Sequence, residues 1–117
     1  LNFWYTNVGW NWLYAKKYIK VSDRNLKTNI KNIEDALEKV INLSGVSYND
    51  KESEKREKEY GFIAQDVEKV IPEIVSESKE TKAIDYDAIV PFLVESIKEQ
   101  QREIERLKKE IEDLKRK

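Results

Sequence analysis

The sequence predicts an α+β fold, a small mixed domain of short strands and helices that runs into a long C-terminal helix. Three observations predict it. Apolar residues recur at seven-residue spacing from Val90 to Leu114. Upstream, short apolar runs alternate between helical and strand-like spacing, with turn residues between them. Finally, 117 residues with 38% charged and 39% hydrophobic side chains make only a small core, so contacts between chains are a natural source of further buried area.

The long helix is the clearest element. Asp85 or Asp87 is placed to cap its start, and Pro91 must sit in its first turn or kink it. Val90, Ile97, Ile104 and Ile111 fill the a position of a heptad. Leu93, Gln100, Leu107 and Leu114 fill d. Glu103 with Lys108, and Glu110 with Lys115, stand where opposite charges pair between helices. The pattern reads as a coiled coil, because its last turns are too charged to pack in a monomer core. Ile at a with Leu at d favours two strands, whereas a polar Gln100 at d changes that choice. The pattern therefore leaves two or three strands open.

Before it, Asn32 is expected to cap a helix with Glu34 and Asp35 in its first turn. Ile33, Leu37, Val40 and Ile41 then share a face, and Gly45 is placed as the C-terminal cap. Val46-Ser47-Tyr48 reads as a short strand. Residues 51–59 contain no apolar side chain, and their alternating charges make a solvated hairpin tip. Tyr60 to Ile71 reads as a strand end and a short helix, with Val67, Val70 and Ile71 inward and Pro72 stopping it. Ile74-Val75-Ser76 and Lys82-Ala83-Ile84-Asp85 make a hairpin.

Residues 1–21 hold all three Trp and three of the six Tyr, which favours strand, with turns at Asn7-Val8-Gly9 and Asn11. They read either as a hairpin packed on the next domain or as the end of a β-rich fibre continuing upstream. The opening Leu1 is read as a fragment's start.

Composition narrows the chemistry. There is no Cys, His or Met, so thiolate chemistry is excluded and the commonest zinc ligand and general base is missing. No carboxylate cluster suggests a metal site, and no cofactor is expected. Net charge is −1, from 22 basic and 23 acidic residues, which gives no reason to expect nucleic acid. No apolar run reaches the ~18–20 residues of a membrane span.

Four segments then carry a resemblance. They are Ser22-Asp23-Arg24-Asn25-Leu26-Lys27-Thr28-Asn29-Ile30, Ala36-Leu37-Glu38-Lys39-Val40, Gly61-Phe62-Ile63-Ala64-Gln65-Asp66-Val67-Glu68 with Pro72-Glu73, and Asp85-Tyr86 with Val90-Pro91 and Leu93-Val94-Glu95-Ser96-Ile97-Lys98. In this order and spacing the chain resembles the self-cleaving C-terminal intramolecular chaperone domains of phage endosialidases, tailspikes and neck appendages. The autocleavage domain of myelin regulatory factor is related.

The resemblance implies a homotrimer, with the long helix as a trimeric coiled coil. It implies a serine–lysine pair in which Ser22 is the nucleophile, Lys27 assists it, and the bond cut is Val21-Ser22. Residues 1–21 would end the upstream fibre segment, 22–86 form the autocleavage and chaperone region, and 87–117 the coiled-coil helix. The expected partners are two further copies of the chain and its own upstream fibre. The parent protein would be made in the host cytoplasm and reside in the virion tail or appendage, with this domain released by the cut.

The chemistry can be argued beside the resemblance. Serine is a weak nucleophile until a base takes its proton, and without His a lysine is the best remaining base. Lys27 must be neutral to act, which demands apolar cover to lower an ordinary pKa of ~10.4; Leu26 and Ile30 flank it. The spacing is the difficulty, because residues five apart point to opposite strand faces and diverge on a helix. A turn at 23–25 must fold the pair together, or Lys27 must come from a neighbouring chain. Gln65 or loop amides are the candidates for stabilising the oxyanion. The chain runs unbroken through Val21-Ser22, so either the fragment is slow or inactive without upstream contacts, or its pieces stay together. The competing class is a coiled-coil oligomerisation module without chemistry. A weaker third is the oligomerising segment of a transcription factor.

Overall fold

A computed structural model describes residues 13–52, 54–55 and 57–117. The turns expected at Asn7-Val8-Gly9 and Asn11, and Ser53 and Arg56 of the charged tip, lie outside the described residues. The chain forms two compact units, Leu1–Lys31 and Asn32–Lys117.

In the described part of the first unit the one regular element is a 3-10 turn, Arg24–Leu26. Residues 13–21 carry neither strand nor helix, despite their aromatic and β-branched content. Tyr14, Tyr18, Ile19 and Val21 are largely exposed.

The second unit contains α1 (Ala36–Ile41), β1 (Val46–Asn49), β2 (Lys58–Gly61), α2 (Ala64–Val70), β3 (Val75–Ser78), β4 (Thr81–Ile84) and α3 (Ile89–Lys115). Two antiparallel hairpins form separate two-stranded sheets. In one, Val46 pairs with Gly61 and Asn49 with Lys58; in the other, Val75 pairs with Ile84 and Ser78 with Thr81. The architecture is the expected mixed domain with a long C-terminal helix, 27 residues and about 40 Å in length.

Hairpins this short are marginal alone, so they depend on the core beneath them. Val67 (1% exposed) and Ile71 (0%) on one side of α2 meet Ile74 and Ile89, and Leu43, Phe62, Ile84 and Phe92 close over them. Pro72 ends α2 as expected, and a 3-10 turn, Pro72–Ile74, carries the chain into β3. Asp85 N–H donates to the Ile74 carbonyl at 2.8 Å, holding the two ends of the second hairpin against the core. On its surface Lys82 donates to both Glu68 oxygens at 3.0 Å, which raises its ammonium above the ordinary lysine range.

The helix starts differ from the sequence expectation. Asn32 does not cap α1. The helix begins at Ala36, after Asp35 in the left-handed region (φ 56°), and its Leu37 N–H is met by Glu99 Oε2 of α3 at 3.3 Å. A distant carboxylate thus takes the place of the local cap. Ala36 is the buried residue of α1, while Ile41 is exposed. Gly45 is not the C-terminal cap either. Asn42 ends the helix, and its side-chain amide donates to the Glu38 carbonyl at 2.8 Å. Neither Asp85 nor Asp87 caps α3, which follows a 3-10 turn, Tyr86–Ala88, directly. Pro91, third in the helix, sits in its first turn, where no N–H partner is lost.

Tyr86 ties the first hairpin to the head of α3. Its hydroxyl accepts the Phe62 N–H at 3.0 Å, and a Cβ at Gly61 would lie 2.6 Å from that oxygen. Gly61→Ala is therefore expected to displace the hydroxyl and cost about 1–2 kcal/mol. Tyr86→Phe should cost about as much alone. The double variant should lose little more than either single one, because both remove the same contact. Urea midpoints of the four proteins check this; additive losses would refute the tie.

Candidate functional site

The first unit places Ser22 and Lys27 together. Asp23 stands at the head of the Arg24–Leu26 turn, and its side chain accepts the Asn25 N–H at 2.8 Å. Within the turn, Leu26 N–H donates to the Asp23 carbonyl at 3.1 Å and Lys27 N–H to the Arg24 carbonyl at 3.0 Å. This tight loop reverses the chain enough that Lys27 Nζ donates to Ser22 Oγ at 2.5 Å. A 3-10 turn advances three residues per revolution, so it solves the five-residue spacing that a strand or α-helix would defeat. Both residues come from one chain, with no neighbour needed for the contact.

The surroundings differ from the expectation. Leu26 is 75% exposed and Ile30 56%, so they do not cover the lysine, and Ser22 and Lys27 are themselves exposed. Asp23 was legible only as part of a turn. The Asp-x-Asn spacing, with a side-chain oxygen two residues before the amide it accepts, is the signal that marks its capping role. Val21, on the other side of the bond, is exposed too.

Gln65 lies in the second unit, near the start of α2. It is exposed, on a hollow of about 320 Å³ that Tyr48, Lys82 and Tyr86 also line.

The heptad residues lie along one stripe of α3. Val90, Leu93, Ile97, Ile104, Leu107, Ile111 and Leu114 are 43% to 65% exposed, and Gln100 is exposed among them. The flank next to the stripe is used within the unit, where Ile89 and Ser96 are buried and Glu99 reaches α1. At the head of the stripe, Val90 and Leu93 open into an apolar hollow of about 390 Å³ with Val40, Leu43 and Phe62. Along the outer turns Arg106 pairs with both Glu103 and Glu110, and its hydrogen bond holds the Glu103 carboxyl below the ordinary range. Those glutamates thus have a partner on their own helix.

Among the described residues no group of carboxylates is arranged to hold a metal ion, and no helix is long and apolar enough to cross a membrane.

Comparison with known proteins gives a consistent picture. Residues 22–76 match the model of the family described as chaperone of endosialidase. That match begins at Ser22. The chain is 40% identical over 89 residues to the long tail fiber protein Gp37 of Enterobacteria phage K3, covering 69% of this chain and 7% of that protein. It is 31% identical over 125 aligned residues to the Gp37 protein of Salmonella phage S16, covering 98% of this chain and 16% of that one. With the Gp37 protein of Enterobacteria phage Ox2 it shares 38% identity over 104 residues, 81% of this chain and 41% of the relative. The chain thus spans a minor part of each relative's length. The mixed fold with its long terminal helix, the family match from Ser22 onward and the tail-fibre relatives agree, and the chain belongs to the chaperone-of-endosialidase family.

Proposed function

We propose that the chain is the trimeric chaperone end of a phage tail fibre, and that it frees itself by one serine-dependent cut at Val21-Ser22. The observation that carries this reading is the 2.5 Å contact between Lys27 Nζ and Ser22 Oγ at that bond.

In the proposed reaction, neutral Lys27 takes the Ser22 hydroxyl proton and Oγ attacks the Val21 carbonyl carbon. The C–N bond breaks as the Ser22 nitrogen gains a proton, leaving an ester between Val21 and Ser22 Oγ. Water then cleaves the ester, giving a Val21 carboxylate and a Ser22 N-terminus. Gln65 or backbone amides near the turn would stabilise the oxyanion. In the single chain Lys27 is exposed to water. Cover from neighbouring chains would supply the desolvation that a lysine base needs. Cutting would then follow assembly.

That order suits the work of such a domain. Long β fibres fold through non-local contacts and risk misassembly. A clamp formed by the α3 stripes would hold three chains in register at high effective concentration. Its removal after folding leaves a kinetically trapped fibre in the virion tail. The second reading, a permanent coiled-coil module without chemistry, draws on the exposure of Lys27.

A longer chain carrying its native upstream fibre separates the two readings on a denaturing gel. Two bands are expected, and mass spectrometry should find Ser22 at the N-terminus of the small fragment. One full-length band supports the permanent module. Assembly has its own test, since light scattering of the 13.9 kDa chain should give three times that mass. A clean monomer would sink the chaperone reading, and a dimer would favour the bare heptad pattern.

A further inference from the structure

We infer that Asp23 is the positioning residue of the Ser22–Lys27 pair, acting by holding the turn that brings the two side chains together. The inference rests on the proposed role of that pair. The turn is only three residues long and buries no side chain. Nothing apolar holds it, so its population depends on its hydrogen bonds. Short 3-10 turns of this kind are marginal, because fixing one costs several dihedral angles for one or two bonds. Two of its bonds are backbone to backbone, from Leu26 to Asp23 and from Lys27 to Arg24. The side-chain bond comes from Asp23, whose Oδ1 accepts the Asn25 N–H that would otherwise face water. Asp23 stands in extended backbone (φ −67°, ψ 132°), the usual conformation of a capping residue, and Lys27 leaves the turn extended again (φ −120°, ψ 151°). Between these two points the chain doubles back, and the Lys27 amine arrives at Ser22 Oγ. The Asp23 carboxylate accepts from the Asn25 amide, whereas Lys27 Nζ and Ser22 Oγ bond to one another. Its effect is on how often the pair is assembled.

The residue at this position therefore needs a short acceptor, and its charge is secondary. Asn and Ser reach the Asn25 amide as Asp does; Ala has no acceptor, and Glu carries the charge one carbon too far.

The test measures release of the small fragment from the full fibre protein over time, as a function of pH. Asp23→Ala and Asp23→Glu are expected to cut about tenfold more slowly than wild type. Asp23→Asn and Asp23→Ser should recover to within about threefold of it. The midpoint of the pH–rate curve should stay in place throughout, because geometry changes and the base does not. Wild-type release by Asp23→Ala overturns the inference. So does an Asp23→Asn protein as slow as Asp23→Ala, or a shifted pH midpoint in Asp23→Asn, since either makes the carboxylate's charge the active property. If Asp23→Ala loses the trimer, the Glu and Ser proteins decide, slow against fast for the inference and equal rates against it. Ser22→Ala in the same assay keeps the two ideas apart. If it is cut, the pair itself is wrong; if it stays whole while Asp23→Ala cuts normally, only the role of Asp23 falls.

Discussion

Ser22→Ala is expected to leave the fibre protein full length, still trimeric and still folded. The hydroxyl is the proposed nucleophile, and Ser22 is exposed, so its loss removes no packing. Lys27→Ala should block release as well, by removing the base beside Oγ. The more telling variant is Lys27→Arg. It keeps positive charge and length, yet a guanidinium stays protonated at any accessible pH and cannot accept the serine proton. A role for Lys27 as a mere hydrogen-bond donor would survive that change; a role as base would not. The wild-type rate should also climb with pH as more of the amine becomes neutral. Cleavage of Ser22→Ala at the normal rate, or a new N-terminus elsewhere, would refute the mechanism even with a trimer in hand.

The second large effect is expected on the stripe of α3. Ile104 is 45% exposed and Ile111 51% in the single chain. Both project from turns that lie beyond the packed head of the domain. Changing both to Lys should therefore leave the folded core of Val67, Ile71, Ile74 and Ile89 intact. Within an assembled seam the same changes bury like charges, at roughly 2–3 kcal/mol or more for each. Sedimentation should show a folded monomer, and release should fail with it if neighbours provide the cover for Lys27. Full-rate release from that monomer would show that one chain completes the site. A trimer of undiminished stability would mean that the stripe is not the seam.

What could be read from the sequence depended on how local each cause was. The second hairpin was legible because Ile74-Val75 and Ala83-Ile84 alternate with polar residues. Its turn was not, since Lys79 and Glu80 both take positive φ and neither residue type announces that. The inward set of α2 was legible from spacing, and Val67 and Ile71 are buried as expected. The start of α1 was misplaced because the acceptor for its Leu37 amide comes from Glu99, 62 residues away. The start of α3 was misplaced because a 3-10 turn absorbed Asp87. The motif singled out Ser22 and Lys27, while their contact needed a turn type that spacing alone does not specify. The apolar cover imagined for Lys27 failed for a plain reason. Leu26 and Ile30 lie close to Lys27 in sequence, but both are exposed to solvent.

Helix α3 serves two clients from one rod. Ile89 and Ser96 face the domain, while Val90 and Ile97, each one residue later, belong to the bare stripe. One residue is about 100° of rotation on an α-helix. The angular phase between head and stalk is thus written into the numbering, with no hinge to adjust it, since the helix runs unbroken from Ile89 to Lys115. An insertion or deletion of a single residue between Ser96 and Ile104 would swing the outer stripe by about a quarter-turn relative to the head. Changes of about seven or eleven residues, each within about 20° of whole turns, would keep both ends in phase. Lengths of the outer helix that preserve this phase relative to the head therefore come in steps near seven or eleven residues.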